Sequence, residues 1–251
     1  MGGRQPLSNI DVIVLAGGMG TRIRDVIGDI PKILAPINGT PFLDHLLRHL
    51  AAMGGRHVII SLGHLAGKVV DYLAANQPLE SNVRTVIESE PMGTAGGVRL
   101  SGAKAVQFPL LVMNGDTWCD ADLNAFATDY QASGADISML CVEVEDVSRY
   151  GRVDRTPDGM IAQFIEKDSE NHCPGLINGG IYLISKSAFT DLQSSKGTSL
   201  ERDFLERQAA GTIQCYVARG AKFVDIGTPS SLASASDIII GNTPESRAST
   251  K

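Results

Sequence analysis

Four short apolar runs, at residues 10–16, 57–62, 83–88 and 110–114, punctuate the first half of the chain. Three of them stop at a glycine: Gly17, Gly63 and Gly115. Between the first two, the apolar residues Phe42, Leu43, Leu46, Leu47, Leu50 and Ala51 fall at helical spacing, and Leu65, Ala66, Val69, Val70, Leu73 and Ala74 repeat that stripe before the third. A continuous apolar run is a strand buried on both faces, and a period-3.6 stripe is the helix face that buries it. The alternation therefore predicts an α/β chain of three layers, α/β/α, around a mostly parallel, Rossmann-like mixed sheet. Such sheets bind ligands beyond the carboxyl ends of their strands. That rule gathers the glycines of residues 17–20, the turn at 91–97 and Asp116 on one rim.

The second half is more mixed. Strand-like stretches at residues 137–144, 160–166, 177–184, 213–217 and 222–226 surround a helical pattern at 200–210, and a last helix is expected at 230–240. No repeat or linker divides the chain, so residues 1–241 read as a single domain of two joined lobes, with a frayed polar tail at 242–251. A net charge of −6 argues against a dedicated nucleic-acid or acidic-membrane surface, since neither basic face is available at large. Cys119, Cys141, Cys173 and Cys215 form no C-x-x-C pair and read as buried thiols in a reducing compartment. The first nine residues lack an apolar leader stretch, and no run approaches the ~20 residues of a membrane span. A cytoplasmic protein is expected, and a homo-oligomer stays open.

The chemistry concentrates at the strand ends. Leu15-Ala16-Gly17-Gly18-Met19-Gly20-Thr21-Arg22 offers backbone N–H groups to phosphate oxygens and a guanidinium beside them. It is neither G-x-G-x-x-G, because position 23 is Ile, nor a Walker loop, because no G-K-[ST] follows. Lys32, framed by Pro31 and Pro36, adds a second cation. Asp116 and Asp225 each end an apolar run, and each alone reads equally as a turn or cap residue. Five histidines, at 45, 49, 57, 64 and 172, show no ligand spacing and read as structural or solvated.

The set Leu15–Arg22, Pro31-Lys32, Asn114-Gly115-Asp116, Glu90–Gly97, Glu166-Lys167, Asn178-Gly179-Gly180 and Asp225–Pro229 resembles the nucleotidyltransferases that act on sugar 1-phosphates, whose fold is GT-A-like. Arg149–Val153 and Gly175–Leu183 look most like the heptose 1-phosphate guanylyltransferases within that family. The resemblance implies transfer of a nucleoside monophosphate from a nucleoside triphosphate, GTP favoured, to a heptose or mannose type sugar 1-phosphate, with pyrophosphate released. A nucleotide-binding half spans about residues 10–120 and a sugar-binding half about 121–241. The resemblance assigns the nucleotide to Leu15, Ala16, Gly17, Gly18, Gly20, Thr21, Arg22, Lys32, Glu88, Gly93, Thr94 and Asp116. Gly151, Glu166, Lys167, Asn178 and Gly179 receive the sugar phosphate. Arg22, Lys32, Asp116, Lys167 and Asp225 carry catalysis, with Mg2+ on Asp116 and Asp225. Glu88 either reads the two adjacent donors of guanine, as only an acceptor can, or faces outward from its strand.

Three other readings compete. One is a uridylyl- or thymidylyltransferase acting on another hexose phosphate. Another is a glycosyltransferase, which would usually carry D-x-D where this chain has Asn114-Gly115-Asp116. The third is a non-catalytic member of the fold, which should have lost the cations and carboxylates that are all present here.

Overall fold

The computed structural model describes residues 6–76, 82–165, 170 and 172–240. Strand β1 (Asp11–Ala16) runs into the glycine loop, a one-turn helix α1 (Arg24–Ile27) and a small ribbon of β2 (Pro36–Ile37) and β3 (Thr40–Pro41). The expected alternation follows: α2 (Phe42–Ala52), β4 (His57–Leu62), α3 (Ala66–Asn76), β5 (Asn82–Ile87), α4 (Gly93–Gly102) and β6 (Leu110–Asn114). Next come β7 (Thr117–Cys119), α5 (Leu123–Ser133), β8 (Ile137–Val144), β9 (Arg152–Arg155), β10 (Ile161–Ile165), β11 (Gly175–Ile184) and α6 (Lys186–Ser194). A π-helical turn (Glu201–Leu205), β12 (Ile213–Val217), β13 (Phe223–Asp225) and α7 (Pro229–Ile240) complete the order.

Neighbouring residues of one strand bury themselves in different cores, which is what a three-layer fold requires. Val12 and Val14 of β1 join Phe42, Leu46, Phe126 and Ala235 on one face. Ile13, between them, joins Val98, Phe189 and Leu192 on the other. Strand β6 divides in the same way, Leu111 and Met113 against Leu110 and Val112. Each fully buried Leu, Ile or Phe contributes about 1.5–3 kcal/mol relative to an exposed one.

The central sheet is mixed. β6, β1, β4 and β5 lie side by side and parallel. β11 joins β6 antiparallel and carries β8 on its other edge. β12 pairs parallel with β8, and β9 and β10 extend from the first half of β11. Strand β11 is where the sheet forks. Leu176 and Ile177 pair with β9, whereas Ile181–Ile184 pairs with β6. The register to β8 shifts between Asn178 and Ile181. Gly179 and Gly180 form this bulge, and Gly180 has φ +69°, a conformation that glycine adopts without strain.

One expectation changes. The helical pattern at 200–210 closes only one π-helical turn, in which the Glu206 N–H donates to the Glu201 carbonyl at 2.9 Å. Gly211 then ends the segment by bonding to Ile161. Helices α5 and α6, capped by the Asp122 and Ser185 side chains, and the short strands β7 and β9 add to what the sequence suggested. No helix among the described residues is long and apolar enough to cross a membrane.

Candidate active site

The carboxyl ends of β1 and β6 are locked side by side, since the Gly115 N–H donates to the Leu15 carbonyl at 2.8 Å. A cavity of about 410 Å³ opens beyond them. Leu15, Ala16, Gly17 and Gly18 form one wall, with Glu88 and Lys32 among the others. A larger cleft of about 930 Å³ adjoins it, reached by Arg22, Arg149, Tyr150, Gly151, Asn178, Gly179 and Asp225. Gly93, Thr94, Asn114 and Asp116 line both. Asp116 thus stands on the wall between two compartments, one narrow and the other wide.

The two aspartates are held by one ribbon. β7 pairs antiparallel with β13 so that Thr117 faces Asp225, and the Ile226 N–H donates to the Asp116 carbonyl at 2.8 Å. Lys32 Nζ donates to Asp116 Oδ2 at 2.6 Å. Asp225 Oδ1 accepts the Gly227 N–H at 2.9 Å, and its Oδ2 accepts from Tyr150 Oη at 3.0 Å and Arg149 Nη2 at 3.4 Å. Burial, and then the Asp225 charge, push the Tyr150 hydroxyl up to about 12, so it stays a donor. A Cβ built on Gly227 would stand 2.6 Å from Asp225 Oδ1, 3.2 Å from Lys32 Nζ and 3.6 Å from Arg22 Nη2. Arg22, Lys32 and Asp225 therefore converge on one point at the mouth of both cavities. Among the described residues no three His, Cys, Asp or Glu side chains group to hold a metal unaided. Two carboxylates fit a magnesium ion that takes its remaining oxygens from phosphates and water.

Glu88 faces inward. It follows β5 directly, and its Oε1 lies 2.7 Å from where a Cβ on Gly17 would stand. Oε2 accepts the Met92 N–H at 3.1 Å, and Oε1 accepts the Ser61 hydroxyl at 3.5 Å. The carboxylate is fixed at the narrow cavity, and the outward-facing alternative does not hold. Thr21 is exposed and lines neither cavity, and Gly20 packs beside the Lys32 stem outside both. Glu166 and Lys167 lie outside the described residues.

Several lining residues had no role assigned from the sequence: Asn114, Arg149 and Tyr150, which entered only as parts of motifs, and Ser199, Glu201 and Arg202, which did not enter at all. The segment Thr198-Ser199-Leu200-Glu201 carries a hydroxyl three residues before an acid, the signature of a helix start. The cap that forms is one residue further on, where Ser199 Oγ accepts the Arg202 N–H at 3.1 Å. That signature marks the segment as an element end, the kind of place where these sheets put ligands.

The family model for nucleotidyl transferase matches residues 11–241. This chain belongs to the nucleotidyl transferase family. It is 32% identical over 220 residues to a D-glycero-alpha-D-manno-heptose 1-phosphate guanylyltransferase of Aneurinibacillus thermoaerophilus, covering 88% of this chain and 94% of that protein. A mannose-1-phosphate guanylyltransferase of Mycobacterium tuberculosis is 30% identical across 94% of this chain and 66% of its own length. Among solved structures, HddC from Yersinia pseudotuberculosis superposes with a TM-score of 0.79 at 35% identity, covering 91% of this chain and 98% of that one. That protein has also been solved complexed with GMP-PN, with the same score and coverage. The nucleotidyl transferase match spans both cavities and every strand of the central sheet.

Proposed function

We propose that this chain transfers GMP from GTP to a heptose-type sugar 1-phosphate, giving a GDP-sugar and pyrophosphate, in the cytoplasm. The observation that carries the reading is the convergence of Arg22, Lys32 and Asp225 beside Asp116, on the wall between a narrow cavity and a wide one. The narrow cavity suits the nucleoside, with Leu15–Gly18 beneath it and Gly93 and Thr94 at its exit. The wide cleft suits the sugar phosphate, with Gly151, Asn178 and Gly179 along it and Glu166 and Lys167 following β10 in sequence. Both heptose 1-phosphate guanylyltransferase similarity and near-complete mutual coverage support this substrate pair over mannose 1-phosphate.

The chemistry needs no general base. A phosphate monoester is already largely dianionic at neutral pH, its second pKa being about 6. One of its oxygens attacks the α-phosphorus of GTP in line, the bond to the bridging oxygen breaks, and pyrophosphate leaves with the bonding pair. The barrier lies in bringing two anions together and stabilising the charge that gathers on the departing pyrophosphate. Arg22 and Lys32 would meet that charge, and the family resemblance gives Lys167 to the incoming phosphate. Mg2+ on Asp116 and Asp225 would supply further neutralisation.

Glu88 selects the base. A fixed carboxylate accepts from both donors of the guanine edge, whereas uracil and thymine present only one flanked by acceptors. Pyrophosphate release, with magnesium, five nucleoside triphosphates and a panel of sugar 1-phosphates, tests the reaction. The expected result is release that needs both substrates and is strongest with GTP. In Glu88→Gln the GTP-to-UTP ratio of kcat/KM should fall by about tenfold or more, the loss of one charge-assisted hydrogen bond. An unchanged ratio removes Glu88 from base recognition, and release with no pair by folded protein removes the reaction.

A further inference from the structure

One carboxylate joins the two sides of the cleft. Glu201, in the π-helical turn, accepts on Oε2 from Thr94 Oγ1 at 3.0 Å and Ser199 Oγ at 3.3 Å, and on Oε1 from Tyr182 Oη at 3.2 Å. The direction of each bond is fixed by what lies behind it. Thr94 Oγ1 accepts the Leu200 N–H at 2.8 Å, which leaves its own proton for Glu201. Tyr182 Oη accepts from Asn178 Nδ2 at 2.7 Å, which does the same. Asn178 is oriented in turn because its Oδ1 accepts the Gly180 N–H at 2.8 Å. Two chains of donors, one from the N-terminus of α4 and one from the bulge of β11, therefore end on a single acceptor. Tyr182 is fully buried, so its hydroxyl has no exposed partner to exchange for Glu201. Burial, and then the Glu201 charge, hold that hydroxyl well above its ordinary pKa, keeping the donor in place.

We propose that Glu201 is a positioning residue that ties Thr94, on the nucleotide side, to Asn178, on the sugar-phosphate side, so that both substrate sites depend on one carboxylate. The inference rests on the functional reading above, in which Thr94, on the wall that both compartments share, holds the nucleotide and Asn178 lines the sugar compartment. The π-helical turn brings Glu201 to the cleft from a segment whose last two residues, Phe204 and Leu205, are buried in the core and hold it there.

The experiment measures the equilibrium affinities of wild type, Glu201→Ala, Glu201→Gln and Tyr182→Phe for a non-hydrolysable GTP analogue and, separately, for mannose and heptose 1-phosphates. Glu201→Ala should weaken both kinds of ligand by about tenfold, the loss of a hydrogen bond to a charged group. Glu201→Gln keeps one acceptor oxygen and the same volume, and should weaken them by about threefold. It also carries the test should the alanine variant fail to fold. Tyr182→Phe cuts only the arm to Asn178, so it should weaken the sugar phosphate and leave the nucleotide within twofold of wild type, about the scatter of such measurements. Nucleotide affinity unchanged in both Glu201 variants overturns the proposal and makes Glu201 a direct sugar ligand. Wild-type protein that turns over no substrate pair refutes the proposed reaction alone, because the nucleotide affinities still decide whether Glu201 reaches Thr94.

Discussion

Gly180→Ala is the substitution that separates backbone strain from damage to the cleft. Gly180 has φ +69°, and a Cβ there would stand 2.7 Å from Asn114 Nδ2 and 3.3 Å from its Cγ. Gly134, the residue that ends α5, has nearly the same φ, +68°, with nothing within 4 Å of its would-be Cβ. Gly134→Ala thus carries the left-handed backbone cost alone, about 1–2 kcal/mol. Gly180→Ala carries the same cost plus the contact with Asn114, about 1–3 kcal/mol more for an overpacked position. In a chain of this size each kcal/mol moves Tm by about 2–4 °C. The first variant should therefore melt about 2–8 °C below wild type, and the second about 4–20 °C below it. The functional consequence differs more sharply. Asn114 lines both cavities, and its displacement should lower kcat/KM by about 10–100-fold, whereas Gly134→Ala should keep wild-type turnover. Thermal melts and pyrophosphate release on the same preparations read both effects. Equal melting shifts, or wild-type turnover in Gly180→Ala, would refute the idea that the β11 bulge is shaped to the cleft.

Tyr150→Phe removes the hydroxyl that Asp225 accepts at 3.0 Å, and should raise the magnesium concentration for half-maximal turnover by about tenfold, as loss of a metal ligand's supporting bond does. An unchanged titration would detach Tyr150 from the metal. Lys32→Met should lower kcat/KM by about 10²–10³, the scale for losing one donor aimed at developing charge, and a loss under tenfold would leave the pyrophosphate to Arg22 alone. Asp203 accepts the Ser199 and Thr198 N–H groups, which hold its carboxyl below the usual 3.8. A depressed folded pKa means that its stabilising contribution is present above that value and is lost as pH falls below it. The Tm gap between wild type and Asp203→Asn should therefore be open at pH 7 and narrow below pH 4, and a gap independent of pH would discard the ionised cap.

What the sequence disclosed, and what it withheld, follows from how local each feature is. The strands at 57–62, 110–114, 137–144 and 213–217 coincide with β4, β6, β8 and β12, because runs of buried apolar residues ending at glycine or a polar turn are set within a few residues. The glycine loop, Lys32, Asp116 and Asp225 were legible for the same reason, each lying in a motif of its own. The orientation of Glu88 was not. It sits one residue past β5, whose residues are all partly or fully exposed, so no alternation says which way it points. Its inward turn depends on Gly17 and Gly97 leaving room, and those come from β1 and α4. Tyr150 was given no role and Glu201 was missed because their partners are remote in sequence: Asp225 lies 75 residues from Tyr150, and Thr94 lies 107 from Glu201. The helix expected at 200–210 failed where Gly211 and the bond to Ile161 end the segment, a tertiary contact that the spacing of apolar residues does not encode.

The proposed site lies where the parallel half of the sheet meets the antiparallel half, and the chemistry gives a reason for that place. In the proposed reaction the cations for a triphosphate, Arg22 and Lys32, come from the segment after the carboxyl end of β1. The residues proposed for the sugar side, Asn178 and Gly179, come from β11, which runs antiparallel to β6. Because β11 is antiparallel, Asn178 near its middle reaches the same rim as Asn114 at the end of β6. A continuous antiparallel pairing of β11 with β6 would close that rim. The bulge at Gly179–Gly180 diverts the first half of β11 toward β9 and leaves the space open. Asp116, the second residue after β6, then faces both compartments, and β13 brings Asp225 beside it on the ribbon with β7. Main-chain pairing holds Asp225 beside Asp116, and Arg22 and Lys32 reach the same point from the turns that follow β1. A reaction that must press two phosphates together against their repulsion depends on charges that do not move, and that is what the fork in this sheet supplies.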